Sequence, residues 1–331
     1  MVFWPNFQRY CVSWIAVLWL LAIGAVIGTP STLAAAWSER DVAIEADGVG
    51  LHGTLTVPDG DSRVAGVLLL PGSGPTDRNG NQPQWQNDLL RLLAQGLAEA
   101  GIASLRADKR GVGRSVTASM READFRFDSY VADALRWIQF LRVQPRVGSV
   151  FIVGHSEGAL IGTLAAQRTA LGGFVSIAGS GLPICELLRR QIAPNLQSPL
   201  RDSFHHIIDE LQAGREVVDI PSDLVTLFRP SVQPYLISQC RYDPAVEIAK
   251  LHLPILIVQG DRDIQVSIDD AERLATAAPS ANFLRLSGVN HMLRPAPQDR
   301  PGNIVLYNRP DIPLAPPVLP AITAFMAQPG R

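Results

Sequence analysis

Short apolar runs alternate with longer amphipathic segments along most of the chain. Residues 42–46 and 51–57 flank an Asp-Gly-Val-Gly stretch and predict an opening hairpin. Residues 64–70 are continuously apolar and stop at a Pro-Gly pair, as expected of a strand buried on both faces. Apolar residues at helical spacing follow over 85–97. This alternation predicts an α/β fold with a mostly parallel central sheet and helices on both faces.

The same alternation continues towards the C-terminus, where it predicts further strands at 102–106, 149–153, 174–178, 255–259 and 282–286, and helices at 127–141, 159–170 and 321–327. Between residues 181 and 251 it is interrupted by several prolines and by a helical apolar face over 200–211. Long segments inside compact domains are usually functional. We therefore expect 181–251 to be a helical lid inserted between the two parts of the core, 37–180 and 252–331.

Residues 1–36 differ in composition from the rest. Their only charged side chain is Arg9, an apolar run covers 11–28, and three alanines occupy 34–36. A basic start, an apolar middle and small residues before a cleavage site are typical of a secretory signal peptide. We expect export to the periplasm or the exterior. An uncleaved membrane anchor formed by 11–28 is the alternative.

The overall composition is that of a globular protein, with 47% apolar and 18% charged residues. Lys and Arg number 29 against 31 Asp and Glu, and no basic block occurs, so a nucleic-acid partner is not expected. Beyond residue 36 the only cysteines are Cys185 and Cys240. In an oxidising compartment they can pair, but two buried thiols are equally compatible with the sequence.

Gly154-His155-Ser156-Glu157-Gly158 follows a predicted strand and precedes a predicted helix. This is the context that G-x-S-x-G requires, because the tight turn leaves no room for Cβ atoms beside the serine. The helix that begins there favours negative charge near the serine hydroxyl. We therefore predict Ser156 as a catalytic nucleophile. His155 next to it is expected to point away and pack.

A serine hydroxyl needs a base that is held by an acid. The strands at 255–259 and 282–286 are followed by Asp263 and His291, in the chain order of α/β serine hydrolases. Asp263 is preferred to Asp261, which suits the turn itself. His291 is preferred because the other downstream histidines lie in the predicted lid or before the acid's strand. No His, Cys or carboxylate spacing indicates a metal site.

An oxyanion hole requires backbone N–H groups near the nucleophile. We predict the amides of Glu157 and Ser73, with Gly72 or Gly74 as alternatives to Ser73 because all three lie in the loop after 64–70. Candidate apolar contacts to substrate in the lid, which can equally be packing residues, are Leu227, Phe228, Val232, Tyr235 and Leu236.

Five stretches carry a resemblance to known proteins: 70–81 (LPGSGPTDRNGN), 108–115 (DKRGVGRS), 154–158 (GHSEG), 260–266 (GDRDIQV) and 290–293 (NHML). On these motifs the chain resembles the α/β-hydrolase superfamily, and within it bacterial serine hydrolases of the serine aminopeptidase-like (S33-type) and dienelactone-hydrolase-like group.

The resemblance implies an α/β-hydrolase fold, acyl transfer to water without a cofactor, small-molecule ester substrates, and the triad Ser156, Asp263 and His291. An aminopeptidase or amidase, a thioesterase or a lactonase with the same triad is the first alternative. A non-catalytic binding protein on the same scaffold is the second. Proline iminopeptidases usually carry a Gly-Gly-rich oxyanion turn, whereas this chain has Pro71-Gly72-Ser73-Gly74. Esters are therefore the preferred substrate class.

Overall fold

The computed structural model describes residues 37–327. The predicted signal peptide, 1–36, lies outside these residues. The strands are β1 (Trp37–Ala46), β2 (Val49–Pro58), β3 (Val64–Leu70), β4 (Ala103–Ala107), β5 (Val147–His155), β6 (Gly173–Ile177), β7 (Ile255–Gly260) and β8 (Asn282–Leu286). They form one sheet in the order β1-β2-β4-β3-β5-β6-β7-β8. From β4 to β8 the neighbours are parallel, whereas β2 pairs antiparallel with β1 and β4.

The helices are α1 (Leu89–Glu99), α2 (Phe127–Arg142), α3 (Glu157–Ala166), α4 (Ile184–Ile192), α5 (Leu200–Gln212), α6 (Val225–Phe228), α7 (Gln233–Cys240), α8 (Pro244–Ile248), α9 (Ile268–Ala277), α10 (Arg300–Val305) and α11 (Val318–Met326). Short 3-10 helices occur at Glu122–Asp124, Ala193–Asn195, Ser222–Leu224 and Leu306–Asn308. Helix α1 begins at Leu89, later than predicted, because Trp85 forms a β-bridge with Gln82 instead.

Apolar side chains cover both faces of the sheet. One face packs on α2 and α3, with Phe127, Ile138 and Leu164 fully buried. The other face packs on α1 and α11, with Leu93 and Ile322 fully buried. Burial on both sides explains why the central strands are continuously apolar in the sequence. The predicted α/β architecture is confirmed.

The chain from α4 to α8 leaves the sheet after β6 and returns to it at β7. This helical insertion has an apolar core of its own, in which Phe204, Ile208 and Phe228 are fully buried. A disulfide bond between Cys185 and Cys240 joins α4 to α7, with the two Cα atoms 5.5 Å apart. The insertion is therefore a self-packed unit tied together covalently.

Candidate active site

Ser156 lies at the sharp turn between β5 and α3. Its backbone has φ 55° and ψ −119°, a conformation that costs energy for any residue other than glycine. Cβ atoms at the flanking Gly154 and Gly158 would overlap the backbone of Gly158 and Leu70, respectively. The amide of Ser156 donates to the carbonyl of Ile177 at 2.8 Å. The neighbouring strands therefore hold a strained turn that presents the serine side chain.

Asp263 follows β7 and His291 follows β8, and the structure brings them into contact. Nδ1 of His291 lies 2.6 Å from Oδ2 of Asp263, and the two side chains are 2% and 1% exposed. Oδ1 of Asp263 accepts hydrogen bonds from the amides of Gln265 and Val266 at 2.8 and 2.9 Å. Asp261 instead accepts from an amide of the turn after β8.

Burial by itself would raise the pKa of Asp263, but the His291 ring and the two amide donors outweigh it and lower the pKa. Asp263 is therefore an ionised acceptor, which requires the proton of His291 to be on Nδ1 and leaves Nε2 free to accept. Ser156 and His291 line the same cavity of about 300 Å³. The structure thus brings all three predicted triad residues to one site.

His155 also belongs to this site, although the sequence predicts that it packs away from the serine. Its ring lines the same cavity, and its centroid lies 4.7 Å from that of His291. Nε2 of His155 donates to the carbonyl of His291 at 2.9 Å. Burial lowers the pKa of His155 to about 3, so its ring is neutral at physiological pH. His155 therefore holds the backbone of His291, and no local sequence signal indicates this.

Lys109 connects the two segments predicted to form the oxyanion hole. Its Nζ donates to the carbonyls of Gly72 and Gly74 at 3.0 and 3.3 Å, on either side of Ser73. It also donates to Oε2 of Glu157 at 2.7 Å. Ser73 and Glu157 line a second cavity of about 60 Å³ together with Ser156. One buried ammonium thus holds both segments beside the serine.

The carboxylate of Glu157 is enclosed by this network. Its side chain is 4% exposed, and that of Lys109 is 6% exposed. Oε1 of Glu157 accepts from the hydroxyl of Tyr235 at 2.6 Å and from Nε2 of Gln239 at 3.3 Å. Burial and the adjacent carboxylate raise the pKa of Tyr235, which therefore remains a neutral donor. These two contacts attach α7 of the insertion to the turn that carries Ser156.

The five apolar residues of the insertion that were predicted to contact substrate lie away from the two cavities at Ser156. Phe228 is fully buried in the core of the insertion, and Leu227 and Leu236 pack against that core. Val232 and Tyr235 line a neighbouring cavity of about 200 Å³ with Lys109. None of the five lines either cavity at Ser156 within the described part of the chain. The packing alternative accounts for Leu227, Phe228 and Leu236.

Across residues 37–327 there is no cluster of His, Cys, Asp and Glu side chains arranged to hold a metal ion. The same range contains no helix with the length and apolar character to span a bilayer.

Comparison with known proteins assigns the chain to a family. The family model described as serine aminopeptidase, S33, matches residues 88–294, more than half of the chain. Esterase EstD of Thermotoga maritima is 27% identical over 260 residues, which cover 78% of this chain and 60% of that protein. This chain thus spans less than two thirds of the length of that relative.

Solved structures show the same fold at low sequence identity. Est1E from Butyrivibrio proteoclasticus with bound ferulic acid has a TM-score of 0.59 at 18% identity, covering 86% of this chain and 96% of Est1E. A puromycin-hydrolyzing peptidase of Mycobacterium tuberculosis has a TM-score of 0.51 at 19% identity, covering 88% of this chain and 39% of the peptidase. The chain therefore belongs to the S33 serine aminopeptidase family of the α/β-hydrolase superfamily.

Proposed function

We propose that the protein is a serine hydrolase that cleaves carboxylic esters through an acyl-enzyme intermediate. The observation that carries the proposal is the buried hydrogen bond between His291 and Asp263, at 2.6 Å, in the cavity that Ser156 lines. In this arrangement an imidazole is oriented by an ionised acid near a serine held in a strained turn. Each element is what activation of a serine hydroxyl requires.

In the proposed mechanism Ser156 attacks the ester carbonyl while Nε2 of His291 takes its proton. Asp263 orients the ring and stabilises the imidazolium. The amides of Ser73 and Glu157 donate to the developing oxyanion, and the alcohol leaves with the proton from His291. Water then attacks the acyl-enzyme by the reverse sequence and releases the acid.

The charges at the two cavities beside Ser156 favour esters over peptides with a free amino terminus. An aminopeptidase needs a carboxylate to hold the substrate's ammonium group, and within residues 37–327 no acidic side chain lines the 300 Å³ cavity. Glu157, which lines the smaller cavity, is already paired with Lys109. The names of EstD and Est1E agree with this preference for esters. The family description names an aminopeptidase, so amide hydrolysis is the activity against which ester hydrolysis has to be compared.

Export of the protein is a second part of the proposal. The Cys185–Cys240 disulfide supports it, because such bonds persist mainly in oxidising compartments. We also infer that the insertion 181–251 acts as a lid, since α7 contacts the side chain of Glu157 next to Ser156.

The test uses the chain without residues 1–36. We expect release of p-nitrophenol from short-chain esters and little release of p-nitroaniline from amino-acyl p-nitroanilides. Ser156→Ala should abolish both turnover and labelling by a fluorophosphonate probe. Faster cleavage of the anilides would favour the aminopeptidase instead. A wild-type protein that the probe does not label would favour a non-catalytic binding protein.

A further inference from the structure

Two cavities of different size and chemistry meet at Ser156. The larger, about 300 Å³, has a wall that mixes aromatic, apolar and amide side chains, among them Trp85, Tyr307, Met292 and Gln265. The smaller, about 60 Å³, is enclosed mainly by the apolar side chains of Leu160, Leu182, Ile184, Leu187, Pro244 and Val266. An ester bound at Ser156 has two sides, so the question is which side enters which cavity.

The position of the base answers this question. The imidazolium that forms when the serine attacks must return its proton to the oxygen of the departing alcohol. The alcohol therefore has to lie on the side of His291. His291 and His155 both line the larger cavity, and within residues 37–327 neither lines the smaller one. This places the alcohol in the larger cavity and the acyl group in the smaller one.

Resting on the ester hydrolysis proposed above, we infer that the substrate joins a short apolar acyl group to a larger alcohol that carries a ring and hydroxyl groups. The smaller cavity disfavours a charged acyl group, because most of its wall is apolar and the carboxylate that lines it, Glu157, is already paired with Lys109. Its volume of about 60 Å³ suits acetyl or propionyl rather than a fatty acyl chain.

The larger cavity has the features that bind a ring with polar substituents. The rings of Trp85 and Tyr307 lie edge to face, with centroids 6.4 Å apart, and offer an aromatic surface. The side-chain amide of Gln265 lines the same cavity and can both donate to and accept from a hydroxyl group of the bound alcohol.

The decisive experiment compares two isomeric esters. Benzyl acetate carries its ring on the alcohol side, and methyl phenylacetate carries it on the acyl side, while their leaving alcohols are similarly weak acids. We expect kcat/KM to be roughly tenfold or more higher for benzyl acetate, the range in which pocket fit discriminates. A preference for methyl phenylacetate would reverse the assignment of the two cavities and overturn the inference.

The alcohol class is tested with acetate as the common acyl group. Benzyl acetate and acetylated glucose should each be cleaved with a higher kcat/KM than ethyl acetate, and the comparison between the two distinguishes a phenyl ring from a sugar. Equal values for ethyl acetate and both ring alcohols would refute recognition of a ring.

Variants in the two cavities provide a crossed control. Leu187→Ala, on the wall of the smaller cavity, should raise the ratio of p-nitrophenyl hexanoate to acetate hydrolysis by about tenfold and leave the ratio of benzyl to ethyl acetate unchanged. Trp85 is 39% exposed and lies in the wall of the larger cavity. Trp85→Ala should lower the ratio of benzyl to ethyl acetate hydrolysis and leave the ratio of p-nitrophenyl hexanoate to acetate hydrolysis unchanged. Ile184→Ala replaces Leu187→Ala if the latter unfolds, since Ile184 is only half-buried.

The failure of this inference is distinguishable from failure of the proposed function. If no ester is cleaved and the fluorophosphonate probe does not label Ser156, the hydrolase proposal itself is wrong. If esters are cleaved but each variant changes both ratios together, the hydrolase proposal survives and the assignment of the two sides is refuted.

Discussion

Replacing Lys109 with methionine tests how the proposed oxyanion hole is held. The change removes the ammonium group that donates to the carbonyls of Gly72 and Gly74 and to the carboxylate of Glu157, and it keeps a side chain of similar length. The ring of Tyr130, whose centroid lies 5.0 Å from Nζ, loses its cation as well. Two effects follow, one on stability and one on catalysis, and they can be separated.

The effect on stability comes from the carboxylate left behind. The side chain of Glu157 is 4% exposed, so without Lys109 it is a buried charge whose remaining hydrogen bonds within residues 37–327 come from Tyr235 and Gln239. Removing one partner of a buried ion pair costs about 3–5 kcal/mol. The double variant Lys109→Met/Glu157→Gln removes both charges, and an amide oxygen at position 157 can still accept from Tyr235 and Gln239. We therefore expect the double variant to regain most of the lost free energy of unfolding.

The effect on catalysis comes from the loop after β3, which contains Ser73. Without Lys109, the carbonyls of Gly72 and Gly74 lose the donor that fixes the peptide units around Ser73. Complete loss of one oxyanion donor lowers kcat by about 10²–10³-fold, so a misplaced donor should cost roughly 10–100-fold. KM should change little, because the donor acts mainly on the transition state.

The assay measures kcat and KM for p-nitrophenyl acetate and the free energy of unfolding in urea, for the wild type, both single variants and the double variant. We expect the double variant to recover stability but not kcat, and Glu157→Gln alone to keep most of its kcat. Recovery of kcat together with stability in the double variant would refute the reasoning, because Lys109 would then act only by stabilising the fold.

Three further predictions concern the triad, its neighbour and the turn. Asp263→Asn should lower kcat of ester hydrolysis by about 10⁴-fold with little change in KM, and a variant that keeps most of its activity would contradict the triad. Burial lowers the pKa of His155 in the folded protein to about 3. Between about pH 6.5 and this value, residue 155 therefore binds a proton in the unfolded chain but not in the folded one. The free energy of unfolding should therefore fall from pH 7 to pH 5 in urea titrations, and less so in His155→Gln; equal slopes would argue against this. Gly158→Ala places a Cβ against the carbonyl of Leu70 and should lower the free energy of unfolding in urea by about 1–3 kcal/mol. Gly148→Ala is the control, because its Cβ meets only an ordinary contact and should leave the free energy of unfolding nearly unchanged.

The sequence by itself determined the architecture and the three candidate triad positions. The strand at Val64–Leu70 has the predicted bounds, because burial on both faces and the turn residues that follow can be read from adjacent positions. The edge strand Asn282–Leu286 also has the predicted bounds, although most of its side chains are exposed. Ser156, Asp263 and His291 each follow a predicted strand. Parallel strands end at the same edge of the sheet, so their convergence follows from the topology.

Tertiary structure alone decided the contacts that surround the proposed triad. Lys109 and Glu157 are 48 positions apart, and Tyr235 and Glu157 are 78 apart. No local periodicity encodes such pairs, because they form only when separate segments pack. Phe228 lies in the core of the insertion for the same reason: its neighbours there come from distant segments, and its position in the sequence is equally compatible with a substrate pocket. Side-chain type and spacing identify the candidate reactive groups, whereas the packing of distant segments determines which of them are held in place and which cavity each of them lines.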